Sequence, residues 1–217
     1  MLDAQACLRQ HDGRDLVLQD REEDKGVALA QEPPDLLERR NRRVERAGLA
    51  GALDAFAPGE GNETTLLGQG GRDNAVARYA ADGSLLWARL ESSPSEETYV
   101  RVAVDAWGSI LVAAGFSGEM KVALGQADEM TLTSAGMFDA YVSRYAAGGA
   151  LIAAWRVGSS GDDYARDVTA LPDGSFLVTG SLNDSVTFGA GDPNETTLVS
   201  GGGFDIFVAR PNADGGF

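Results

Sequence analysis

One stretch returns twice along the chain and therefore determines the architecture. It is Asn-Glu-Thr-Thr-Leu-Leu-Gly-Gln-Gly-Gly-Arg-Asp-Asn-Ala-Val-Ala-Arg-Tyr, residues 62–79. It recurs at residues 128–145 as Asp-Glu-Met-Thr-Leu-Thr-Ser-Ala-Gly-Met-Phe-Asp-Ala-Tyr-Val-Ser-Arg-Tyr, and from residue 194 as Asn-Glu-Thr-Thr-Leu-Val-Ser-Gly-Gly-Gly-Phe-Asp-Ile-Phe-Val-Ala-Arg. One aspartate marks the register of the copies at intervals of 66 residues: Asp73, Asp139 and Asp205. Self-similarity at a fixed period predicts a repeat architecture.

Each repeat consists of short apolar runs separated by glycine-rich turns, which is typical of an all-β domain. In the first repeat we expect four antiparallel strands joined by tight connections, at residues 74–79, 85–90, 100–104 and 110–114. The second repeat follows the same plan, and the third supplies a first strand and the start of a turn. Residues 116–132 are predicted to be the connector between units.

Four-stranded antiparallel units in tandem are what a β-propeller requires, because each twisted sheet buries both faces against its neighbours. The predicted fold class is therefore all-β, with tandem four-stranded blades of an incomplete propeller over residues 55–217. A closed ring needs about four to eight blades. Two blades and the beginning of a third cannot close one, so we expect the terminal blades to expose apolar faces or unpaired edges.

Residues 1–54 share no visible similarity with the repeats and are predicted to form a separate, partly disordered segment. Asp35 after two prolines is a suitable N-cap, and residues 36–47 contain good helix formers, which predicts a short helix. The arginines of this helix are interrupted by Glu38 and Glu45. A solvated helix face is therefore favoured over a patch for an anionic partner.

The formal charge of −15 is concentrated in residues 51–217, which hold nine basic and twenty-two acidic side chains. Such an acidic surface repels phosphate backbones and anionic lipid, so we expect no nucleic-acid partner. The only cysteine and the only histidine are Cys7 and His11, which excludes an internal disulfide and a Cys/His zinc site within one chain. No apolar run is long enough for a membrane span, and no signal peptide is visible in this chain.

The repeated motifs resemble the bacterial SBBP family, whose repeats are named for a predicted seven-bladed β-propeller. The motifs that carry the resemblance are Gly-Gly-Phe-Asp-Ile-Phe-Val-Ala-Arg (202–210), Phe-Asp-Ala-Tyr-Val-Ser-Arg-Tyr (138–145), Asp-Gly-Ser-Leu-Leu-Trp (82–87), Gly-Asp-Asp-Tyr-Ala-Arg-Asp-Val (161–168) and Asp-Gly-Ser-Phe-Leu-Val-Thr-Gly (173–180). The resemblance covers about residues 55–217. It implies a large secreted or cell-surface bacterial protein, of which this chain is a piece, and brings no established catalytic residues.

We therefore expect a non-catalytic scaffold that mediates structural or binding interactions, rather than an enzyme. Its expected partners are the remaining blades of a longer propeller or other copies of the chain, with a protein or glycan ligand at one loop rim. Two alternatives remain open. In the first, the chain is a fragment of a carbohydrate-active propeller enzyme; in the second, it is a calcium-stabilised adhesion module.

The densest group of carboxylates is Asp162, Asp163 and Asp167. Carboxylates on a turn can bind Ca²⁺ together with backbone carbonyls, or act as an acid and base pair when one of them is buried. These three are the candidate calcium ligands, and no other cofactor is expected. An Asp-x-Asp-x-Asp-Gly loop is lacking, so a solvated loop between strands is the favoured interpretation.

The residues that recur in each repeat have a structural interpretation. The repeat aspartates Asp73, Asp139 and Asp205 are interpreted as strand-start residues that accept backbone N–H groups of a turn, with cation ligands as the alternative. Aromatic residues that recur are predicted to pack between blades, with a sugar-binding platform as the alternative. They are Trp87, Trp155, Tyr99 and Tyr164.

Overall fold

The computed structural model describes the backbone of residues 7–11, 15–19, 27–30, 44–50, 53–57, 59, 61–70, 72–80, 82–213 and 215–216, and side chains from residue 56 onward within those ranges. These residues form β-strands and turns without a helix. The first six strands are β1 (Cys7–His11), β2 (Asp15–Gln19), β3 (Val27–Ala30), β4 (Val44–Ala50), β5 (Leu53–Phe56) and β6 (Thr64–Leu67). The predicted all-β class is therefore confirmed for the described part of the chain.

Thirteen further strands follow along the rest of the chain described by the structure. They are β7 (Asp73–Tyr79), β8 (Leu85–Ser92), β9 (Thr98–Val104), β10 (Ile110–Phe116), β11 (Glu119–Val122), β12 (Met130–Thr133), β13 (Asp139–Tyr145), β14 (Leu151–Val157), β15 (Tyr164–Ala170), β16 (Phe176–Leu182), β17 (Ser185–Phe188), β18 (Thr196–Val199) and β19 (Asp205–Ala209). From β4 onward, equivalent strands begin 66 residues apart. The repeating unit therefore contains six strands.

The principal sheets are antiparallel, and each combines strands of successive repeats. Sheet I has the order β12-β11-β8-β7-β4-β3, sheet II the order β14-β13-β10-β9, and sheet III the order β15-β16-β19. The pairs β1–β2, β5–β6 and β17–β18 form two-stranded ladders. Hairpin turns lie at residues 82–83, 148–149 and 173–174, each with a glycine at positive φ.

The grouping of strands differs from the predicted one. Strand β8 does not pair with β9 of the same repeat; instead, the hairpin β9–β10 pairs with β13 of the next repeat. The chain leaves sheet I through residues 93–97, where Pro94 has no N–H to donate, and the Glu97 amide bonds the Arg72 carbonyl at 3.2 Å. This bond turns the chain away from β8 towards a second sheet.

Two further segments differ from their predicted form. Residues 116–132 contain the β11–β12 hairpin, which extends sheet I through β8. Most of the predicted helix, residues 36–43, lies outside the described residues, but residues 44–47 belong to strand β4. That strand pairs with β7 over its whole length, from Val44 opposite Tyr79 to Ala50 opposite Asp73. Backbone pairing with a neighbouring strand thus outweighs local helix propensity here.

The middle strands of sheet II, β10 and β13, are buried at every position, and β10 is apolar throughout, as this environment requires. Ile110, Val112 and Ala114 pack towards sheet I, while Leu111 and Ala113 pack towards sheet III. We call the contact of sheets I and II the first interface, and that of sheets II and III the second interface. Both are formed by equivalent positions of the repeat.

In each interface, an arginine near the end of a middle strand also donates hydrogen bonds to turn carbonyls of the next sheet. Arg78 donates to the Gly108 carbonyl at 2.6 Å and to the Ala147 carbonyl at 3.1 Å. Arg144, 66 residues later, donates to the Ala213 carbonyl and pairs with Asp105 at 2.6 Å. Both arginines are buried, and their bonds to carbonyls hold turns of one sheet against the sheet before it, whereas the ion pair of Arg144 with Asp105 lies within sheet II.

The far face of sheet III has no covering sheet among the described residues. Ile206 and Val208 on β19 are 85% and 65% exposed, whereas their equivalents in sheet II, Ala140 and Val142, are buried. The repeat register thus brings apolar side chains to a surface that is covered in the two preceding sheets.

Candidate functional site

A buried carboxylate, Glu91 on β8, organises the first interface. Three hydroxyls from sheet II bind it: Tyr141 donates at 2.6 Å, Tyr145 at 2.9 Å, and Ser143 completes the set. Asn74 on β7 in turn donates from Nδ2 to the Tyr141 hydroxyl at 2.7 Å. All five side chains are buried, so this hydrogen-bonded group links the two sheets through polar contacts within an apolar surrounding.

Burial dominates the acid–base properties of this group. It raises the pKa of Glu91, although the bonds from Ser143, Tyr141 and Tyr145 favour the ionised form. The pKa values of Tyr141 and Tyr145 are raised well above their usual range, first by burial and then by the charge of Glu91. The tyrosines therefore remain protonated donors to the carboxylate.

A second pair of buried carboxylates, Asp73 and Glu97, lies at the start of β7 and just before β9. Both are fully buried, and none of their four carboxylate oxygens has a hydrogen-bond partner among the described residues. Ser93 lies beside Glu97 without a hydrogen bond of normal geometry. These are the largest group of unsatisfied carboxylate oxygens in the described part of the chain, and unsatisfied buried charge is costly.

The surroundings strongly favour the neutral form of Glu97. Burial raises the pKa of Glu97 to about 8, and the charges of Asp73 and Glu91 act in the same direction. Asp73 and Glu91 are therefore close enough to Glu97 for their charges to influence its ionisation. The ionisation of Glu97 is therefore expected to change near neutral pH.

The equivalent carboxylates of the second repeat are fully paired. Asp139 binds the guanidinium of Arg156 at 2.5 Å and the Ala135 amide at 2.9 Å. Asp163 accepts from the Ser159 amide and hydroxyl at 2.6 and 2.8 Å and from the Asn183 amide at 3.0 Å. At the same repeat positions, one copy thus has donors for its carboxylates and the other has none.

The predicted calcium ligands have separate environments. Asp162 accepts the Phe138 amide at 3.2 Å, Asp163 is the loop anchor just described, and Asp167 is exposed and bonds the Val168 amide at 2.9 Å. No three His, Cys, Asp or Glu side chains come together as a metal-binding group among the described residues. Calcium binding by residues 162–167 stays a prediction.

The third repeat aspartate and the two tryptophans have clear contacts. Asp205 accepts the Gly201 amide at 2.7 Å. Trp87 packs on Tyr145 across the first interface with ring centroids 6.0 Å apart, and Trp155 packs on Phe176 across the second at 5.8 Å. A Cβ added to Gly149, the turn glycine facing Trp87, would lie 2.7 Å from the indole, so only glycine fits there.

Aromatic side chains form a partly exposed edge where β9 and β15 begin. Tyr99 and Tyr164 meet edge to face with centroids 5.6 Å apart, and the Arg166 guanidinium lies 3.8 Å from the centre of the Tyr99 ring. Phe138 and Phe204 flank Tyr164. Tyr99 is 47% exposed and has a φ of +59°, a conformation that non-glycine residues adopt rarely and mostly at special sites. This aromatic edge is the candidate contact surface.

The interior of the second interface, in contrast, is apolar. A cavity of about 20 Å³ is lined by residues that include Val157, Phe176, Phe207 and Ala209. A space of this size holds about one water molecule but offers it no polar partner.

The buried polar group was not among the sequence-predicted site residues, and neither was Glu97 in its own right. For the buried polar group, the 66-residue period itself supplies a signal. Aligned on it, Glu91 falls opposite Val157 and Tyr141 opposite Phe207, whereas Glu97 falls opposite another acidic residue, Asp163. Polar residues that face apolar ones in such an alignment mark positions where the repeats have different roles.

Comparison with known protein families and with curated proteins found no match to this chain. None of the described residues forms a helix of the length and apolarity needed to cross a lipid bilayer.

Proposed function

We propose that the chain is part of a β-propeller and acts as a non-catalytic scaffold in a secreted or cell-surface bacterial protein. The observation that carries this proposal is the succession of two face-to-face interfaces made by equivalent positions 66 residues apart. Stacked antiparallel sheets of a tandem repeat are the basis of a propeller. The resemblance of the motifs to SBBP repeats supports the bacterial and extracellular setting.

The far face of sheet III receives the next sheet in this proposal, from a further repeat or from another copy of the chain. Ile206 and Val208 supply apolar area to it, as Ala140 and Val142 do in sheet II. Apolar surface of this kind marks an interaction site in a soluble protein.

The aromatic edge is the proposed ligand surface of the scaffold, for a protein or a glycan. Tyr99 and Phe204 are both about half exposed, and rigid aromatic rings give contact area at a low cost in conformational entropy. The carbohydrate-active alternative needs a free carboxylate at residues 162–163. Both oxygens of Asp163 accept bonds from its own loop and from Asn183, which supports a structural role for that residue.

Size-exclusion chromatography with light scattering tests the scaffold proposal. We expect the full chain to associate with rising concentration, and the double variant Ile206→Asp/Val208→Asp to remain monomeric. Leu67→Asp, which changes an apolar side chain of similar exposure on β6, is the matched control and should associate like the wild type. A wild type that stays monomeric at every concentration, or a double variant that still associates, contradicts the role given to this face.

A glycan array probed with the labelled chain tests the aromatic edge. Bound glycans should be lost from the double variant Tyr99→Ala/Phe204→Ala and retained by Ile152→Ala, an exposed apolar residue on β14. Equal binding by both variants would remove the aromatic edge from the proposal. Chemical cross-linking of the chain to the surface of the source bacterium would detect a protein ligand. The same two variants would then show whether the aromatic edge binds it.

A further inference from the structure

The start of β7 and the segment before β9 bring two carboxylates into a closed space. Their backbones are joined by the bond from the Glu97 amide to the Arg72 carbonyl at 3.2 Å and by the bridge between Arg72 and Glu96. The side chains of Asp73 and Glu97 are nevertheless left without a donor among the described residues. Two buried carboxylates without a compensating charge repel each other and lose their hydration.

The second repeat shows how the same place is neutralised. Arg156 on β14 extends a guanidinium to Asp139 at 2.5 Å. The residue 66 positions earlier is Leu90, which occupies the equivalent place on β8: Leu90 pairs with Ala75, as Arg156 pairs with Tyr141. The first repeat therefore keeps the aspartate but has an apolar side chain where its positive partner would be.

The acidic partner also differs in a way that suits a bound ion. Asp163 in the second repeat is saturated by Ser159 and Asn183. Glu97 has one methylene more than Asp163, and its carboxylate has no bond of normal geometry with the neighbouring Ser93. Both oxygens of Glu97 and both oxygens of Asp73 are consequently free to act as ligands.

We propose that Asp73 and Glu97 bind a hard divalent cation of the calcium type, which takes the place that the Arg156 guanidinium has in the second repeat. Carboxylate oxygens are the preferred ligands of such ions, and water or backbone carbonyls complete the coordination of Ca²⁺. Glu91 is held by its three hydroxyls and is not a ligand. The site is different from residues 162–167 and does not depend on the scaffold proposal.

Thermal unfolding of the full chain, first in EDTA and then with increasing CaCl₂, tests the site. We expect the Tm to rise by about 5–10 °C when Ca²⁺ reaches about a hundred times its Kd. Asp73→Asn and Glu97→Gln should abolish this rise. Asp162→Asn and Asp167→Asn, which change the sequence-predicted ligands, are the controls and should keep it.

A charge-replacement variant gives the sharpest comparison. Leu90→Arg restores the residue type found at position 156, so it should raise the Tm in EDTA and remove the response to Ca²⁺. If this variant does not fold, isothermal titration of the wild type with CaCl₂ decides alone. A stoichiometry of one ion per chain, lost in Glu97→Gln, supports the proposal.

Two outcomes overturn the proposal. The first is a Tm that is the same in EDTA and in CaCl₂ with no heat of binding, which means that a proton on Glu97 is sufficient to neutralise the pair. The second is a calcium response that survives both Asp73→Asn and Glu97→Gln, which places the ion elsewhere.

Discussion

The first and second interfaces use the same repeat positions but opposite chemistry. In the first, a carboxyl side chain and four polar partners are buried together; in the second, each of the five equivalent positions holds a residue without a side-chain hydrogen-bonding group. The first set is Asn74, Glu91, Tyr141, Ser143 and Tyr145, and the second set is Ala140, Val157, Phe207, Ala209 and Pro211. The difference between the interfaces is therefore complete.

From this difference we infer that the polar group behaves as one unit. A buried donor or acceptor that loses its partner costs about 1–3 kcal/mol, whereas replacing both partners with apolar groups of similar shape is close to neutral. Phe207 differs from Tyr141 by one hydroxyl, and Ala209 differs from Ser143 in the same way. A repeat that kept only some of these polar residues would be less stable than one with all or none.

The largest effect is expected from breaking the unit at its centre. Glu91→Val leaves the hydroxyls of Tyr141, Ser143 and Tyr145 without their acceptor, so it should lower the free energy of unfolding by about 3–5 kcal/mol. Urea denaturation followed by tryptophan fluorescence measures the loss.

The matched variant converts the first interface into the second. Glu91→Val combined with Asn74→Ala, Tyr141→Phe, Ser143→Ala and Tyr145→Phe should recover most of the lost stability. A multiple variant that is less stable than Glu91→Val alone would show that the polar residues act independently, against the interpretation as one unit.

The second effect is a dependence on pH that belongs to the first interface. The pKa of Glu97 is raised to about 8 in the folded state, from an ordinary value of 4.5, so the folded chain binds more protons than the unfolded chain between these values. Stability is therefore complete at low pH and declines as pH rises. In EDTA, we expect a loss of about 2 kcal/mol between pH 6 and pH 8.

Urea denaturation of wild type and Glu97→Gln across this range measures the pH effect. The variant should have a flatter profile, with the remaining slope in the same direction because burial also raises the pKa values of Glu91 and Asp163. A wild type whose stability increases from pH 6 to pH 8 would contradict the raised pKa of Glu97.

The third effect should have opposite signs in the two repeats. Asp139→Asn removes the ion pair with Arg156, which is partly exposed, and we expect a loss of about 1–2 kcal/mol. Asp73→Asn removes a buried carboxylate without a partner, so in EDTA it should leave stability unchanged or raise it. Chemical denaturation of the two variants under identical conditions makes the comparison, and equal losses would contradict it.

The smallest effect concerns the aromatic edge of the second interface. Arg166→Met removes the guanidinium 3.8 Å from the Tyr99 ring, and a cation–π contact at a partly exposed site contributes about 0.5–1 kcal/mol. A decrease in Tm that corresponds to this loss of free energy would show a modest structural contribution, consistent with an edge that is free to bind a ligand. A loss above about 2 kcal/mol would make the edge part of the core.

The sequence alone was sufficient for the all-β class and the 66-residue period, because these depend on local alternation and on the recurrence of the same residues. It was not sufficient for the partners of each strand. Residues 93–97 are a loop in either arrangement, and only the tertiary pairing of β10 with β9 and β13 shows that the chain passes to another sheet. Strand β4 was missed since its residues favour a helix locally, and its pairing with β7 is a tertiary effect.

The candidate sites were predictable to a smaller degree. The aromatic positions 99 and 164 could be recognised from their recurrence in the repeat. Glu91 could be recognised only as a polar residue opposite Val157 in the repeat alignment, because its bonds to three hydroxyls 50 to 54 residues away are a tertiary feature. The difference between Asp73 and Asp139 required knowing that Leu90 and Arg156 occupy the same place beside β7 and β13.

The way in which successive repeats share sheets has a consequence for how such a gene can change. Sheet II takes all four of its strands from residues 98–157, within one 66-residue period, while the β11–β12 hairpin inside that span pairs with β8 of sheet I. Each added period therefore supplies one four-stranded sheet and one hairpin for the sheet before it. A gain or loss of 66 codons in register is expected to preserve both kinds of pairing wherever it begins.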